Sequence, residues 1–158
     1  LGAGGSGKTT LGRKIGKILK IPSKSVDDLK YSKNFRTAFS KNIANKNLKK
    51  LLSRHKWVID GVYNQDYVIP ALKKADIIIG LKTNRLKLIY QILKREITIK
   101  RKYNKKIVLD IIKLLYWSQK YKKHNESNYL IPAQRYHKKV LFLRNTREQE
   151  DFLKSLSR

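Results

Sequence analysis

Residues 2–9 read Gly-Ala-Gly-Gly-Ser-Gly-Lys-Thr and fill every position of the pattern G-x-x-x-x-G-K-[ST]. The chemistry such a pattern serves is phosphate binding. Glycines let backbone N–H groups turn inward around phosphate oxygens, along a path that side chains would obstruct. Lys8 brings a point charge to the outer phosphates, and the Thr9 hydroxyl is placed to ligate Mg²⁺. A helix opening at Lys8 aims the positive end of its dipole at the same anion. Gly2, Gly4, Gly5, Ser6, Gly7, Lys8, Thr9 and Thr10 are therefore the expected phosphate-binding set. The bland alternative is a chance Gly-rich turn beside a lysine. Context separates the two, because the loop works between a strand and a helix.

The helix is present in the pattern: Leu11, Ile15, Ile18 and Leu19 recur at helical spacing and stop before Pro22. The strand is not. Leu1 stands directly against the first glycine, with no initiator methionine. The expectation is a fragment lacking the few N-terminal residues that form the first strand.

Trp57-Val58-Ile59-Asp60-Gly61 is the second chemical signal. A carboxylate ending a buried strand beside a phosphate loop is placed to hold Mg²⁺. An Asp-Gly pair after a strand is also an ordinary turn. Pairing with the loop favours the metal role for Asp60, together with Thr9.

The elements that must position these groups alternate along the chain. A short extended segment near residues 21–26 leads into Asp27 and Asp28, and residues 37–53 carry helical apolar spacing. Strands are expected at Trp57–Ile59, Ile77–Ile79 and Val140–Leu143, with helices over 67–74, 86–97, 108–115 and 146–156. Strand–helix alternation with near-continuous apolar strands predicts an α/β fold, its parallel sheet covered on both faces. Ligands of such folds sit at the C-terminal ends of the strands. A single domain over residues 1–158 is expected.

Composition bounds the function classes. Hydrophobic content of 41% fits a globular chain, and the absence of cysteine excludes disulfides and thiolate metal sites. No apolar run has the length of a membrane span and no signal peptide is visible, so the expectation is a cytoplasmic protein without a membrane partner. The charge is unusual: 38 Lys and Arg against 11 Asp and Glu give a formal net charge of +27. The basic residues are densest between Lys82 and Lys123, yet no recognition motif for RNA or DNA accompanies them. Nucleic-acid affinity and plain solvated basic faces are both open readings. His55, His124 and His137 have no ligand spacing.

The order of motifs resembles the topology modulation proteins, adenylate-kinase-like P-loop proteins, over nearly the whole chain. The resemblance is carried by the Gly-rich loop, Asp27-Asp28-Leu29, Phe35, Trp57 to Tyr63, and Ala75-Asp76-Ile77-Ile78. It implies a P-loop NTPase three-layer sandwich of the nucleoside-monophosphate-kinase kind, with ATP bound at residues 2–9. It also implies a basic helical lid at about residues 83–138, with arginines that close on the transferring phosphoryl group. Arg85, Arg95 and Arg101 are the candidates, Arg95 and Arg101 foremost, since guanidinium forks neutralise developing charge bidentately. As a plain alternative, they are solvated cations of a basic helix. Asp27 and Asp28 could orient an acceptor hydroxyl or cap the following helix, and Arg36 could grip an acceptor phosphate. Arg144-Asn145-Thr146 falls where related kinases place a loop beside the adenine. Val62 stands where the family tends to have Asn, and Lys82 where an Asp commonly follows the fourth strand.

Two functions of different class follow. The first is an enzyme using ATP and Mg²⁺ to phosphorylate a small acceptor, such as a nucleoside monophosphate. The second is a nucleotide-gated protein that binds nucleic acid or regulates DNA topology.

Overall fold

The computed structural model describes residues 1–32, 37–61, 68–100, 116 and 134–157, and the side chains of Arg85 and residues 95–100 lie outside the description. Among the described residues the chain is mixed α/β, with short parallel strands in two small sheets.

Helix α1 spans Lys8–Ile18 and buries Leu11, Gly12, Ile15 and Gly16 on one face. The two glycines let the helix lie close on the strand that follows. A Cβ at Gly16 would stand 2.9 Å from both the Ile21 carbonyl oxygen and the Ser23 Cβ. The helix ends in a Schellman arrangement: Lys20 takes the left-handed conformation at φ 55. The Ile21 N–H then reaches back to the Gly16 carbonyl at 2.9 Å, and Pro22 follows.

Strand β1 (Ser23–Ser25) runs directly into the short helix α2 (Val26–Lys30). Ser25 caps α2 by accepting the Asp27 N–H, while Asp28 reaches back to the Ser25 N–H, which completes a capping box. Helix α3 (Lys41–Leu52) starts at the Ser40 cap and buries Ala44, Leu48, Leu51 and Leu52. Strand β2 (Val58–Asp60) pairs with β1 in parallel, Ser25 opposite Asp60. Helix α4 (Ile69–Lys74) tolerates Pro70 because the ring falls in the first turn, where no intrahelical donor is lost. Strand β3 (Ile77–Leu81), helix α5 (Arg85–Lys100), strand β4 (Lys139–Leu143) and helix α6 (Thr146–Ser155) complete the described elements. Strands β3 and β4 pair in parallel from Ile77 opposite Lys139 to Leu81 opposite Leu143.

Alternation along β2 sends its side chains to opposite faces. Val58 packs with Leu11, Ile15, Leu81 and Leu143, whereas Trp57 and Ile59 pack on Leu29, Leu48 and Leu51. Strand β2 is thus covered on both sides, as expected. The single sheet that the alternation predicts is instead two parallel pairs. No ladder joins β2 to β3, and a lone parallel bridge links Gly2 to Leu81. A slot of about 780 Å³ opens between the two pairs, lined by Val58 to Asp60 of β2 and by Ile77 to Ile79 of β3. The expected helix at 108–115 lies outside the described residues.

Candidate functional site

The glycine-rich loop leaves the edge of β3 and ends at the start of α1. Its inner wall is apolar: Ala3 packs with Leu88 and Ile92 of α5, the latter only 1% exposed. Two backbone positions require glycine. Gly5 and Gly7 sit at φ 78 and 88, in the region that L side chains avoid. Gly7 also caps α1, and no side chain takes the first-turn amides. The helix therefore opens with its N–H groups directed at the mouth of the loop, an anion-binding arrangement. Gly4 faces open space, with nothing within 4 Å of where a Cβ would be.

Three side chains converge on this mouth. Lys8 Nζ donates to the Ala3 carbonyl at 2.6 Å, so the ammonium lies folded across the loop. The Thr9 hydroxyl donates to Asp60 Oδ1 at 2.8 Å. Asp60 is 6% exposed. Burial raises its pKa above the usual carboxylate range, opposed by the Thr9 hydrogen bond and the Lys8 charge, with Asp28 adding to the rise. A buried carboxylate touching a hydroxyl at a helix N-terminus is a set of hard oxygen donors, the kind that suits Mg²⁺. Among the described residues there is no cluster of three or more His, Cys, Asp or Glu that would make a self-sufficient metal cage. Thr9 and Asp60 would hold such an ion only as part of a shell completed by water and ligand oxygens.

Ser6 is 3% exposed, and its Oγ has no hydrogen-bond partner. Its carbonyl accepts from the Thr83 hydroxyl at 3.4 Å, which ties the loop to the segment after β3. Thr10 lines a 200 Å³ cavity on the outer side of α1, shared with Lys14, Lys87, Gln91 and Arg144 to Thr146. Lys87 Nζ hydrogen-bonds the Thr146 hydroxyl across it. Asn145 caps α6 by accepting the Glu148 N–H at 2.9 Å, and Glu148 in turn accepts from the Arg144 N–H at 2.7 Å.

The fold thus brings together Gly2 to Thr10 and Asp60. Asp28 is occupied in the capping box, and Asp27 is exposed in the first turn of α2. Of the arginines, Arg85 and Arg95 belong to α5, with side chains outside the description. Arg36 and Arg101 lie outside the described residues, as do Val62 and most of the expected lid. Sequence reading missed the supports of the loop: Thr83, Leu88 and Ile92. Helical spacing of Leu88 and Ile92 was the available signal, though nothing in it named the loop as the partner.

A scan against protein-family models finds no match, and a search of curated proteins finds no match either.

Proposed function

We propose that this chain is an adenylate-kinase-like P-loop protein, similar to the topology modulation proteins, that binds ATP with Mg²⁺ and phosphorylates a small acceptor. The observation that carries the reading is the Thr9–Asp60 hydrogen bond of 2.8 Å, formed at the N-terminus of the helix that the glycine loop opens. It joins the two motifs that the sequence offered separately.

In this reading the loop amides and Lys8 hold the β- and γ-phosphates, and Lys8 exchanges the Ala3 carbonyl for phosphate oxygen. Thr9 and ionised Asp60 would hold Mg²⁺, whose chemistry is to neutralise charge on the outer phosphates. The cavity beside Thr10 and Arg144 to Thr146 takes the base. An acceptor oxygen attacks the γ-phosphorus, the bond to the β–γ bridging oxygen breaks, and ADP leaves with that electron pair. Arg95 and Arg101 are the proposed lid cations, Arg36 the proposed grip on an acceptor phosphate, and Asp27 the remaining acidic candidate for orienting it.

The test follows ATP by phosphorus NMR with Mg²⁺ and a panel of nucleoside monophosphates. Transfer of the γ-phosphoryl group to one member is the expected result. No ATP binding by calorimetry would overturn the reading altogether.

The +27 net charge favours a second reading, a nucleotide-gated protein whose basic surface meets nucleic acid. ATP-dependent polynucleotide binding that falls steeply with salt, without turnover of any small acceptor, would select it.

A further inference from the structure

The 200 Å³ cavity on the outer side of α1 is walled by three helices and shares Gly7 with the glycine loop. Thr10 and Lys14 of α1 line one wall, and Lys87 and Gln91 of α5 line a second. Each pair is four residues apart and so lies on one face of its helix. The third wall is the start of α6, with Arg144 just ahead of it. Leu88 and Ile92, the neighbours of Lys87 and Gln91 along α5, are taken up in packing on Ala3.

Gln91 stands apart within this lining, because its Oε1 is buried and has no hydrogen-bond partner. Folded chains leave few buried acceptors in that condition, since each one destabilises the fold. Four charged side chains line the cavity, and three of them, Lys14, Lys87 and Arg144, are cations against Glu150. Their field turns the Gln91 amide with its oxygen toward them. Lys87, one turn away on α5, donates to the Thr146 hydroxyl. A ligand in the cavity is what can bring a donor to Gln91. Sites that enclose a whole small molecule measure roughly 300–1,000 Å³, so this one suits a single ring system rather than a complete nucleotide.

We propose that Gln91 Oε1 accepts a hydrogen bond from the exocyclic amino group of the base, and so selects adenine over a keto purine. The inference rests on the nucleotide reading above and adds to it the residue that chooses among nucleotides. An amino N–H meets the oxygen as donor to acceptor. A keto oxygen in the same place sets two acceptors against each other and leaves both unsatisfied. A site built to hydrogen-bond one group rejects an analogue without it on that ground. Gln91 touches the base alone, so it governs which triphosphate binds rather than the transfer step.

The experiment is calorimetry with Mg²⁺ on the native chain, Gln91→Leu and Gln91→Glu. The ligands are ATP, inosine triphosphate (oxygen in place of the amino group), purine riboside triphosphate (neither group) and 2′-deoxy-ATP. The native chain is expected to bind ATP about tenfold or more tighter than either base analogue. Gln91→Leu keeps the bulk without the acceptor and is expected to lose that preference. Gln91→Glu puts an acceptor-only carboxylate among the cations and is expected to keep it. Equal binding of ATP and both analogues by the native chain overturns the proposal. So does a preference unchanged in Gln91→Leu, or one lost in Gln91→Glu. A native preference for ATP over its 2′-deoxy form that Gln91→Leu abolishes also overturns it, since the oxygen then serves a ribose hydroxyl. All of these failures leave the nucleotide reading standing. Binding of no triphosphate at all overturns that reading, and this inference with it. Should Gln91→Leu fail to fold, the native preference and its retention in Gln91→Glu decide.

Discussion

Thr9 and Asp60, separated by 51 residues, are joined through a 2.8 Å hydrogen bond from the Thr9 hydroxyl to Asp60 Oδ1. The bond fixes the first turn of α1 against the end of β2. A hydrogen bond to a buried carboxylate is among the stronger polar contacts a chain can make. It also presets two oxygens on one side of the loop mouth.

Asp60→Asn separates the structural role of this residue from its proposed role with Mg²⁺. The native pKa of Asp60 is raised by burial, whereas the unfolded carboxyl titrates near ~3.9. The native state therefore holds its proton more tightly than the unfolded one. The stability this contributes is full below about pH 4 and is lost as pH rises through the raised native value. The amide variant lacks that loss, so it is expected to be the more stable protein at pH 7 relative to pH 4, while ATP binding loses its dependence on Mg²⁺. Urea midpoints at the two pH values, with and without Asp60, check the first point. Identical pH dependence of both proteins would refute it.

Lys8→Ala tests the loop. Lys8 spans the mouth and donates to the Ala3 carbonyl at 2.6 Å, and it takes no part in the packed wall of Ala3, Leu88 and Ile92. A hydrogen bond to a charged group contributes about 1.5–3 kcal/mol. ATP affinity is accordingly expected to fall by about tenfold to a hundredfold, with an unchanged circular dichroism spectrum. Calorimetry reads the affinity; wild-type binding by the variant would remove Lys8 from the site.

Two glycine substitutions are expected to separate folding from binding. Gly16→Ala puts a methyl group 2.9 Å from a backbone oxygen and from the Ser23 Cβ. Overpacking of that kind costs about 1–3 kcal/mol, a drop of about 3–10 °C in Tm for a domain of this size. At Gly4 the same methyl meets nothing within 4 Å, so Tm stays within about 2 °C. The Gly4 methyl nevertheless stands at the loop mouth, and ATP is expected to bind this variant more weakly. Thermal melts with and without ATP give both quantities.

Much of the local structure was legible because its causes are local. Apolar spacing marked α1, α3, α5 and α6, and the runs at Trp57, Ile77 and Val140 marked β2, β3 and β4. Pro70 left α4 standing because a first-turn proline costs no hydrogen bond. The double acidic pair was less transparent. Asp28 could serve a ligand or a cap, and the capping box shows it bonded to the Ser25 N–H at 3.1 Å. Only the backbone angle at Ser25, fixed by pairing of β1 with β2, made that bond available.

The sequence by itself determined the glycine loop, the lysine and hydroxyl that follow it, and the carboxylate that ends an apolar strand. Each depends on neighbours a few residues away, whose spacing the chain states directly. Tertiary structure decided that Thr9 meets Asp60, that Ala3 rests on Leu88 and Ile92, and that β2 and β3 face each other across a slot. Those relations depend on which strand edges find partners and how closely α1 settles on β1. They are set by long-range packing and hydrogen-bond satisfaction, which no local pattern encodes.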